Sequence, residues 1–242
     1  MSTENLEFKI KSLEQRIKTL QEIVQSQSAR IQELEDIELI KKLQRKYNYY
    51  VQHMLKDAII DCFADSPDVQ LKWLEGTWKG KEGVRRYFHQ EPGKYPPPDF
   101  LHQVMPIAGV VTVEPGGLKA KGRWYAFGGV NISMGGKSHQ SFVSGTYEFE
   151  YVKENGIWKM LTVDWIIYYN VDIPEGAWRG PESIGKSVGD PNFKPPQPDI
   201  PFNPDDPKFK SGYIFPFHFT HPVTGKSTSE SVRNAALLGK VK

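Results

Sequence analysis

The sequence has very little of the chemistry that marks disulfide, redox and metal-thiolate proteins. Its 242 residues include a single cysteine, Cys62. An internal disulfide and any C-x-x-C motif are therefore excluded. Cys62 lies in the apolar stretch IIDCFAD, whereas a reactive thiol needs an electropositive and accessible setting. We predict a buried, structural thiol.

Long hydrophobic runs and an excess of charge of one sign are also missing. No stretch reaches the roughly 18 apolar residues that a membrane-spanning helix needs. The 31 basic and 29 acidic residues nearly balance, whereas a nucleic-acid-binding protein usually carries a clustered basic face. The first residues, MSTENLEFKIKSLEQ, lack the apolar core of a secretory signal. We expect a cytoplasmic protein with no membrane or nucleic-acid partner.

Sequence motifs for bound cofactors are absent as well. The histidines show no metal-ligand spacing such as H-E-x-x-H, and glycine runs such as MGGKS fit neither a phosphate loop nor a dinucleotide fingerprint. The G-x-S-x-G elbow of serine hydrolases is not found. We expect neither a metal nor an organic cofactor.

Aromatic residues, in contrast, are plentiful, with 13 Phe, 11 Tyr and 6 Trp. Two interpretations are open: a densely packed core, or a pocket lined by aromatic side chains, which small-molecule sites favour.

Residues 6–35 carry a heptad repeat, so residues 1–36 are predicted to form a coiled-coil oligomerisation helix. The two seam positions alternate four and three residues apart and hold Leu6, Leu13, Leu20, Gln27 and Leu34 at one, and Ile10, Ile17, Val24 and Ile31 at the other. β-branched residues at one position with leucine at the other favour a parallel two-stranded coil, and polar Gln27 can fix its register. The alternative is one amphipathic helix lying on its own domain.

Residues 37–170 have the patterns of an α+β domain. Apolar residues recur at helical spacing from Ile40 to Cys62, which predicts a helix reaching about Phe63. VQLKWLEG reads as a strand and KEGVRRYFHQ as a short helix. Alternating strands follow the Pro96–Pro98 break, and Asn155-Gly156 predicts a hairpin between the last two. Helices followed by an antiparallel meander indicate an α+β fold.

Residues 171–242 differ in character and are predicted to form an extended arm. Eleven of the 18 prolines lie there, and apolar periodicity is missing. Scattered aromatics such as Trp178 and Phe217 argue against a solvated linker. The arm is expected to wrap its own core or a neighbouring subunit.

The domain resembles the SnoaL-like families of the nuclear-transport-factor-two superfamily. The segments that carry the resemblance are IELIKKLQRKYNYYVQHMLKDAIIDCFADSPDVQL, GTWKGKEGVRRYF, LHQVMPIAGVVTV, AKGRWYAF and GTYEFEYVKENGIWKM. The resemblance implies a cone-shaped, curved antiparallel sheet wrapped around a long helix, with a deep pocket. It also implies a dehydratase, isomerase, cyclase or other lyase working without metal or organic cofactor, and an oligomer that is often a trimer.

The resemblance assigns His102 to the pocket as a catalytic histidine. An imidazole with an ordinary pKa near ~6.5 can both accept and donate a proton. The alternative is a structural histidine bonded to backbone. One departure concerns the aspartate that dehydratases of this type often carry near the end of the pocket helix. Here the position reads Val51-Gln52, and glutamine, which cannot act as a base, is assigned to substrate binding instead.

Further candidates come from spacing and from polarity in apolar surroundings. Tyr49, His53 and Asp57 lie at successive i, i+4 positions, so Asp57 could orient His53 as a base; Lys46 on the same face indicates exposure instead. Asp164 stands among apolar neighbours, where a carboxylate is costly unless paired. It could orient His102, act as a base, or pair with a lysine or arginine.

Four aromatic residues are candidate substrate contacts: Tyr50, Trp124, Tyr147 and Tyr168. Core packing is the alternative for each. The sequence thus predicts a cofactor-independent lyase that releases water or formaldehyde from a hydroxylated aromatic compound, a phenol or a lignin-derived diaryl molecule. An isomerase or cyclase in the same pocket, and a non-enzymatic ligand-binding or assembly protein, remain open. The heptads favour a dimer and the resemblance a trimer.

Overall fold

The computed structural model describes residues 3–73, 76–89, 100–134, 137–173, 214, 217 and 220–233. Three helices precede the main sheet strands: α1 (Thr3–Gln52), α2 (Lys56–Asp61) and α3 (Gly80–Phe88). The strands are β1 (Gln70–Trp73), β2 (Gly76–Lys79), β3 (Leu101–Val113), β4 (Lys119–Met134), β5 (Lys137–Glu154) and β6 (Ile157–Asp172). The predicted α+β class is confirmed.

Helix α1 is a single element of 50 residues that joins the predicted coil to the domain without a break. At about 1.5 Å per residue it is roughly 75 Å long. Its apolar heptad residues are exposed, whereas Ile40, Leu43, Tyr47 and Tyr50 form a buried stripe against the sheet. The N-terminal half of α1 therefore leaves the domain, and the C-terminal half forms its core.

The prediction of one helix reaching Phe63 is wrong, because α1 ends at Gln52. Met54 adopts a left-handed conformation with φ of 49°. The amide of Leu55 donates to the carbonyl of Tyr50 at 2.9 Å, and that of Met54 to Val51 at 3.0 Å. This pair of bonds is a Schellman cap, which satisfies carbonyls that a terminating helix leaves open. Because the chain then changes direction into α2, Tyr49, His53 and Asp57 do not share one helix face.

The six strands form one sheet in the order β2-β1-β6-β5-β4-β3. Strands β3 to β6 are an antiparallel meander, while β1 lies parallel to β6. The predicted hairpin is confirmed, with φ of 51° at Asn155 and 79° at Gly156 between β5 and β6. Positive φ at both central residues is what a tight two-residue turn requires.

A bulge in β3 bends the sheet, so the predicted one or two strands are one irregular strand. The register shifts between Ile107 and Val110, and Ala108 has φ of 51°. A Cβ on Gly109 would lie 2.0 Å from the Trp124 ring. Only glycine leaves room for that indole, and the bulge adds the curvature that lets the sheet wrap around α1.

Cys62 is a buried thiol, as predicted. Its side chain is fully buried, and its Sγ lies 3.3 Å from the carbonyl oxygen of Ala58, to which it donates. Burial raises the pKa of the thiol well above its ordinary value. It is therefore protonated and packs as a small apolar side chain.

The described part of the predicted arm packs against the end of α1. Ile214 is buried, and the Phe217 ring lies about 6 Å from the rings of Tyr49 and Tyr50. The Lys46 ammonium donates to the carbonyl of Thr220 at 2.9 Å. Trp178 and most other arm residues lie outside the described part of the chain.

The point where α1 enters the domain is fixed by a buried carboxylate. Asp36 is only 2% exposed and accepts hydrogen bonds from the Lys153 ammonium at 2.7 Å and the Trp158 indole at 2.8 Å. A buried charge is tolerated only when it is paired and hydrogen-bonded. The carboxylate thus ties α1 to the β5–β6 hairpin.

We predict that Asp36→Ala lowers the free energy of unfolding by about 3 kcal/mol, because Lys153 loses its buried partner. Chemical denaturation, followed by circular dichroism, measures the change. Asp68→Ala, which removes an exposed carboxylate, is the control and should shift stability by less than about 0.5 kcal/mol. Equal effects for the two variants would contradict the assigned role of Asp36.

Candidate active site

A cavity of about 240 Å³ lies between the end of α1, α3 and the inner face of the sheet. Its wall is mostly apolar and aromatic, and it is formed by Val51, Met54, Trp73, Tyr87, Phe88, Phe100, His102, Val104, Val130, Val143, Tyr147, Trp165, Ile167 and Asn170. Both interpretations of the aromatic content therefore hold, because aromatic side chains fill the core and also line this cavity.

The cavity wall is uncharged as far as the described residues show. Within that lining set there is no aspartate, glutamate, lysine or arginine. The aromatic rings also hold one another in place: Tyr147 lies 4.3 Å from Trp165 and 5.9 Å from Trp73, measured between ring centroids. The result is a rigid, apolar chamber with a few polar atoms, the usual make-up of a small-molecule site.

His102 is the strongest acid–base candidate in this wall. It lies near the start of β3, pairs with Val130 of β4, and has its ring 6.5 Å from the Phe100 ring in a stacked arrangement. Burial lowers the pKa of His102 to about 4. At neutral pH the imidazole is therefore uncharged and has a free lone pair that can accept a proton.

Tyr147 provides a donor in the same cavity. Burial raises the pKa of its hydroxyl, so the phenol keeps its proton across the physiological range. Strand alternation explains its position, since Val143 and Tyr147 of β5 point inward while Glu148 points outward. A protonated phenol in an apolar wall can donate a hydrogen bond to a substrate oxygen.

Two polar residues of the wall were missed by sequence reasoning. The indole nitrogen of Trp73 is buried and has no hydrogen-bond partner in the structure. Alternation with buried Leu71 could have placed Trp73 on the inner face. Asn170 could not have been found this way: Tyr168 is an extra residue in the β5–β6 register, which turns Asn170 inward opposite Val143.

Trp124 and Tyr50, two predicted substrate contacts, lie in the core outside the cavity lining. The Trp124 indole donates to the Tyr151 hydroxyl at 3.3 Å, and that hydroxyl donates to Gln44 Oε1 at 2.9 Å. Tyr50 is stacked on His221 with ring centroids 5.2 Å apart. These contacts support packing, the alternative that sequence reasoning left open.

Other predicted catalytic and binding residues lie on outer surfaces. Asp164 pairs with Lys72 at 3.3 Å on the face of β6 opposite Trp165, which is one of its three anticipated arrangements. Asp57 pairs with His89 at 3.3 Å instead of orienting His53. Tyr49 and Tyr168 are exposed, and Gln52 and His53 are half-buried outside the lining. Of the predicted site residues, His102 and Tyr147 are the two that the cavity brings together.

A histidine of the arm supports the cavity wall from behind. His221 Nε2 donates to the carbonyl of Ala58 at 2.8 Å, and its Nδ1 accepts from the amides of Val223 and Thr224, both at 3.1 Å. This pattern requires the neutral imidazole with its proton on Nε2. Because Tyr50 and Met54 flank the same helix end, the arm backs the turn that carries Met54 into the cavity.

Comparisons with known proteins agree with this geometry. Residues 32–164 match the model of the SnoaL-like domain. The hexachlorocyclohexane dehydrochlorinase LinA, type 2, superposes with a TM-score of 0.50 at 18% identity, covering 62% of this chain and 97% of that one. A putative scytalone dehydratase from Novosphingobium aromaticivorans gives a TM-score of 0.49 at 12% identity, covering 59% and 90%. No curated protein matches the chain.

The described helices were also compared with the requirements of a membrane span. None is both long and apolar enough to cross a bilayer. The cytoplasmic location stays a prediction.

We predict that arm docking through His221 weakens in acid. Burial lowers the pKa of His221 below its ordinary value, so the folded state favours the neutral ring. Its contribution to stability is complete above about pH 6.5 and is lost as the pH falls toward the lowered value. The difference in unfolding free energy between wild type and His221→Gln should be about 1–3 kcal/mol at pH 7.5 and shrink by pH 5.

Thermal or chemical denaturation at both pH values measures that difference. His139→Gln, at an exposed histidine of β5, is the control and should differ little from wild type at either pH. A gap between wild type and His221→Gln that stays constant, or widens in acid, would contradict the neutral-ring assignment.

Proposed function

Since the chain belongs to the SnoaL-like domain family through residues 32–164, we propose that it is a cofactor-independent lyase acting on a hydroxylated aromatic compound. The observation that carries the proposal is a neutral histidine, His102, in an apolar and aromatic-lined cavity. Such a group is a general base that is ready at neutral pH. The proposed products are the dehydrated or deformylated aromatic compound and water or formaldehyde.

The lining argues for an uncharged substrate with an aromatic ring. A carboxylate or phosphate would lose its hydration in this cavity and find no cationic side chain among the described lining residues. A cavity of about 150 Å³ can hold benzene, so the roughly 240 Å³ here suits one substituted ring better than two. A single-ring phenol is therefore the first substrate class to test, with lignin-derived diaryl compounds second.

In the dehydration route, His102 takes a proton from the carbon next to the one that carries the leaving hydroxyl. The C–H electron pair forms the new double bond, and the C–O bond breaks. The imidazolium then returns its proton to the departing hydroxide, which leaves as water and restores neutral His102. Tyr147 and the Trp73 indole are donors suited to a substrate oxygen that gains negative charge during this step.

In the formaldehyde route, the benzylic hydroxyl leaves first as water, assisted by the substrate's own phenol, and a quinone methide forms. His102 then removes the O–H proton of a neighbouring CH2OH group. The C–C bond breaks, formaldehyde departs, and the electron pair restores the aromatic ring. This route requires the same base and a phenolic substrate, so it is tested alongside dehydration.

We predict that His102→Ala and His102→Gln reduce kcat/KM by about 10²–10⁴ without loss of fold, since that is the usual contribution of a general base. Mass spectrometry of reactions with phenolic alcohols, phenolic diols and diaryl diols detects loss of water or formaldehyde. His139→Ala, at an exposed histidine, is the matched control and should keep wild-type turnover. Full turnover by His102→Gln would remove this residue from the mechanism.

The same screen separates the two remaining functions. Conversion with unchanged product mass would indicate an isomerase or cyclase, which the base and the Tyr147 donor could also serve. Binding of aromatic compounds without conversion, measured by calorimetry, would indicate a ligand-binding protein.

The pH dependence provides an independent test of the base. Because the pKa of His102 is lowered to about 4, the neutral, active form persists above that value. We predict that kcat/KM stays level from pH 7.5 to about 5 and falls only as the pH approaches 4. An acid limb centred near 6.5, the ordinary imidazole value, would contradict the buried neutral base. Circular dichroism at each pH distinguishes loss of activity from loss of fold.

A further inference from the structure

The N-terminal half of α1 carries an uncovered apolar stripe. The eight apolar seam residues between Leu6 and Leu34 are 49% to 66% exposed. No described residue of this chain packs over them, although a stripe of this length is rarely left in water. We propose that residues 6–34 of two copies of this chain pair as a parallel, in-register, two-stranded coiled coil.

The seam points away from the chain's own domain. Leu34 and Leu43 are nine residues apart, as are Ile31 and Ile40, and nine residues are about 2.5 helical turns. Each pair therefore points to opposite sides of α1. Leu43 and Ile40 are buried against the sheet, whereas Leu34 and Ile31 are exposed. The helix cannot lay this seam on its own domain, and a second helix can approach without obstruction.

Charge on either side of the seam selects a parallel orientation. The positions that flank one edge are basic (Lys9, Arg16 and Arg30), and those that flank the other edge are acidic (Glu7, Glu14 and Glu35). In a parallel pair each edge meets the opposite edge of the partner, so basic residues face acidic ones. In an antiparallel pair each edge meets its own kind, so like charges face each other. This complementarity identifies a second copy as the occupant.

The polar seam residue selects the same arrangement. In a parallel, in-register pair Gln27 faces the same residue of the partner, and the two amides can hydrogen-bond to each other. In an antiparallel pair centred on Leu20, Gln27 would face Leu13 and its amide would be buried without a partner. Isoleucine and valine at one seam position and leucine at the other favour two strands over three. In this dimer the two domains flank the coil on opposite sides.

The first test is the mass in solution of the full chain. Sedimentation equilibrium at micromolar concentration should give twice the chain mass of 27.6 kDa. Leu20→Asp, which places a charge in the seam, should give the monomer mass with the domain still folded by near-ultraviolet circular dichroism. Gln15→Asp, on the outward side of the same helix turn, is the matched control and should remain a dimer. A monomeric or trimeric wild type would overturn the proposal.

Orientation is tested by single cysteines under mild oxidation. Paired disulfides need Cα atoms about 4.4–6.8 Å apart. Leu6→Cys and Leu34→Cys should each cross-link in a parallel, in-register dimer, whereas an antiparallel pair would separate either set by roughly 40 Å. The native Cys62 is fully buried, so wild type is the blank. Cross-linking by Leu20→Cys alone would show an antiparallel coil and overturn the proposed orientation.

Discussion

The place where α1 ends is the constraint on which the rest of the structure depends. Up to Gln52 the helix presents a buried stripe to the sheet; beyond it, the left-handed Met54 turns the chain into α2. The turn closes the carbonyls of Tyr50 and Val51 with its own amides, so it needs no solvent. Its inner side contributes Val51 and Met54 to the cavity, and its outer side receives the arm. A longer helix would deny both surfaces their shape.

Charge is sorted between the two faces of the sheet. The outer face carries ion pairs such as Arg123 with Glu148 and Lys72 with Asp164, while the described lining of the inner cavity is uncharged. The altered proton affinity of His102 follows from this sorting, because burial, with no charged neighbour opposing it, favours the neutral ring. The apolar wall and the neutral base are thus one property, and replacing any wall residue by a charged one would alter both.

Sequence patterns predicted what depends on local chemistry and missed what depends on register. Alternation and Asn155-Gly156 were enough to predict the β5–β6 hairpin, and apolar spacing was enough for the buried stripe of α1. The helix end was missed because VQHMLKD contains neither glycine nor proline. Asp164 could not be assigned among its three arrangements, since Lys72 reaches it only through the parallel β1–β6 pairing. Asn170 was hidden by the extra residue in β6.

The absence of glycine and proline between Thr3 and Gln52 has a mechanical consequence. Sharp kinks in helices arise at such residues or at inserted groups, so α1 behaves as a stiff shaft that transmits torque along its axis. Asp36 is the bearing that holds the shaft in the domain. Rotation imposed on the distal end would reach Val51 at the cavity wall, and the shape of that wall shares one angular coordinate with whatever grips the other end.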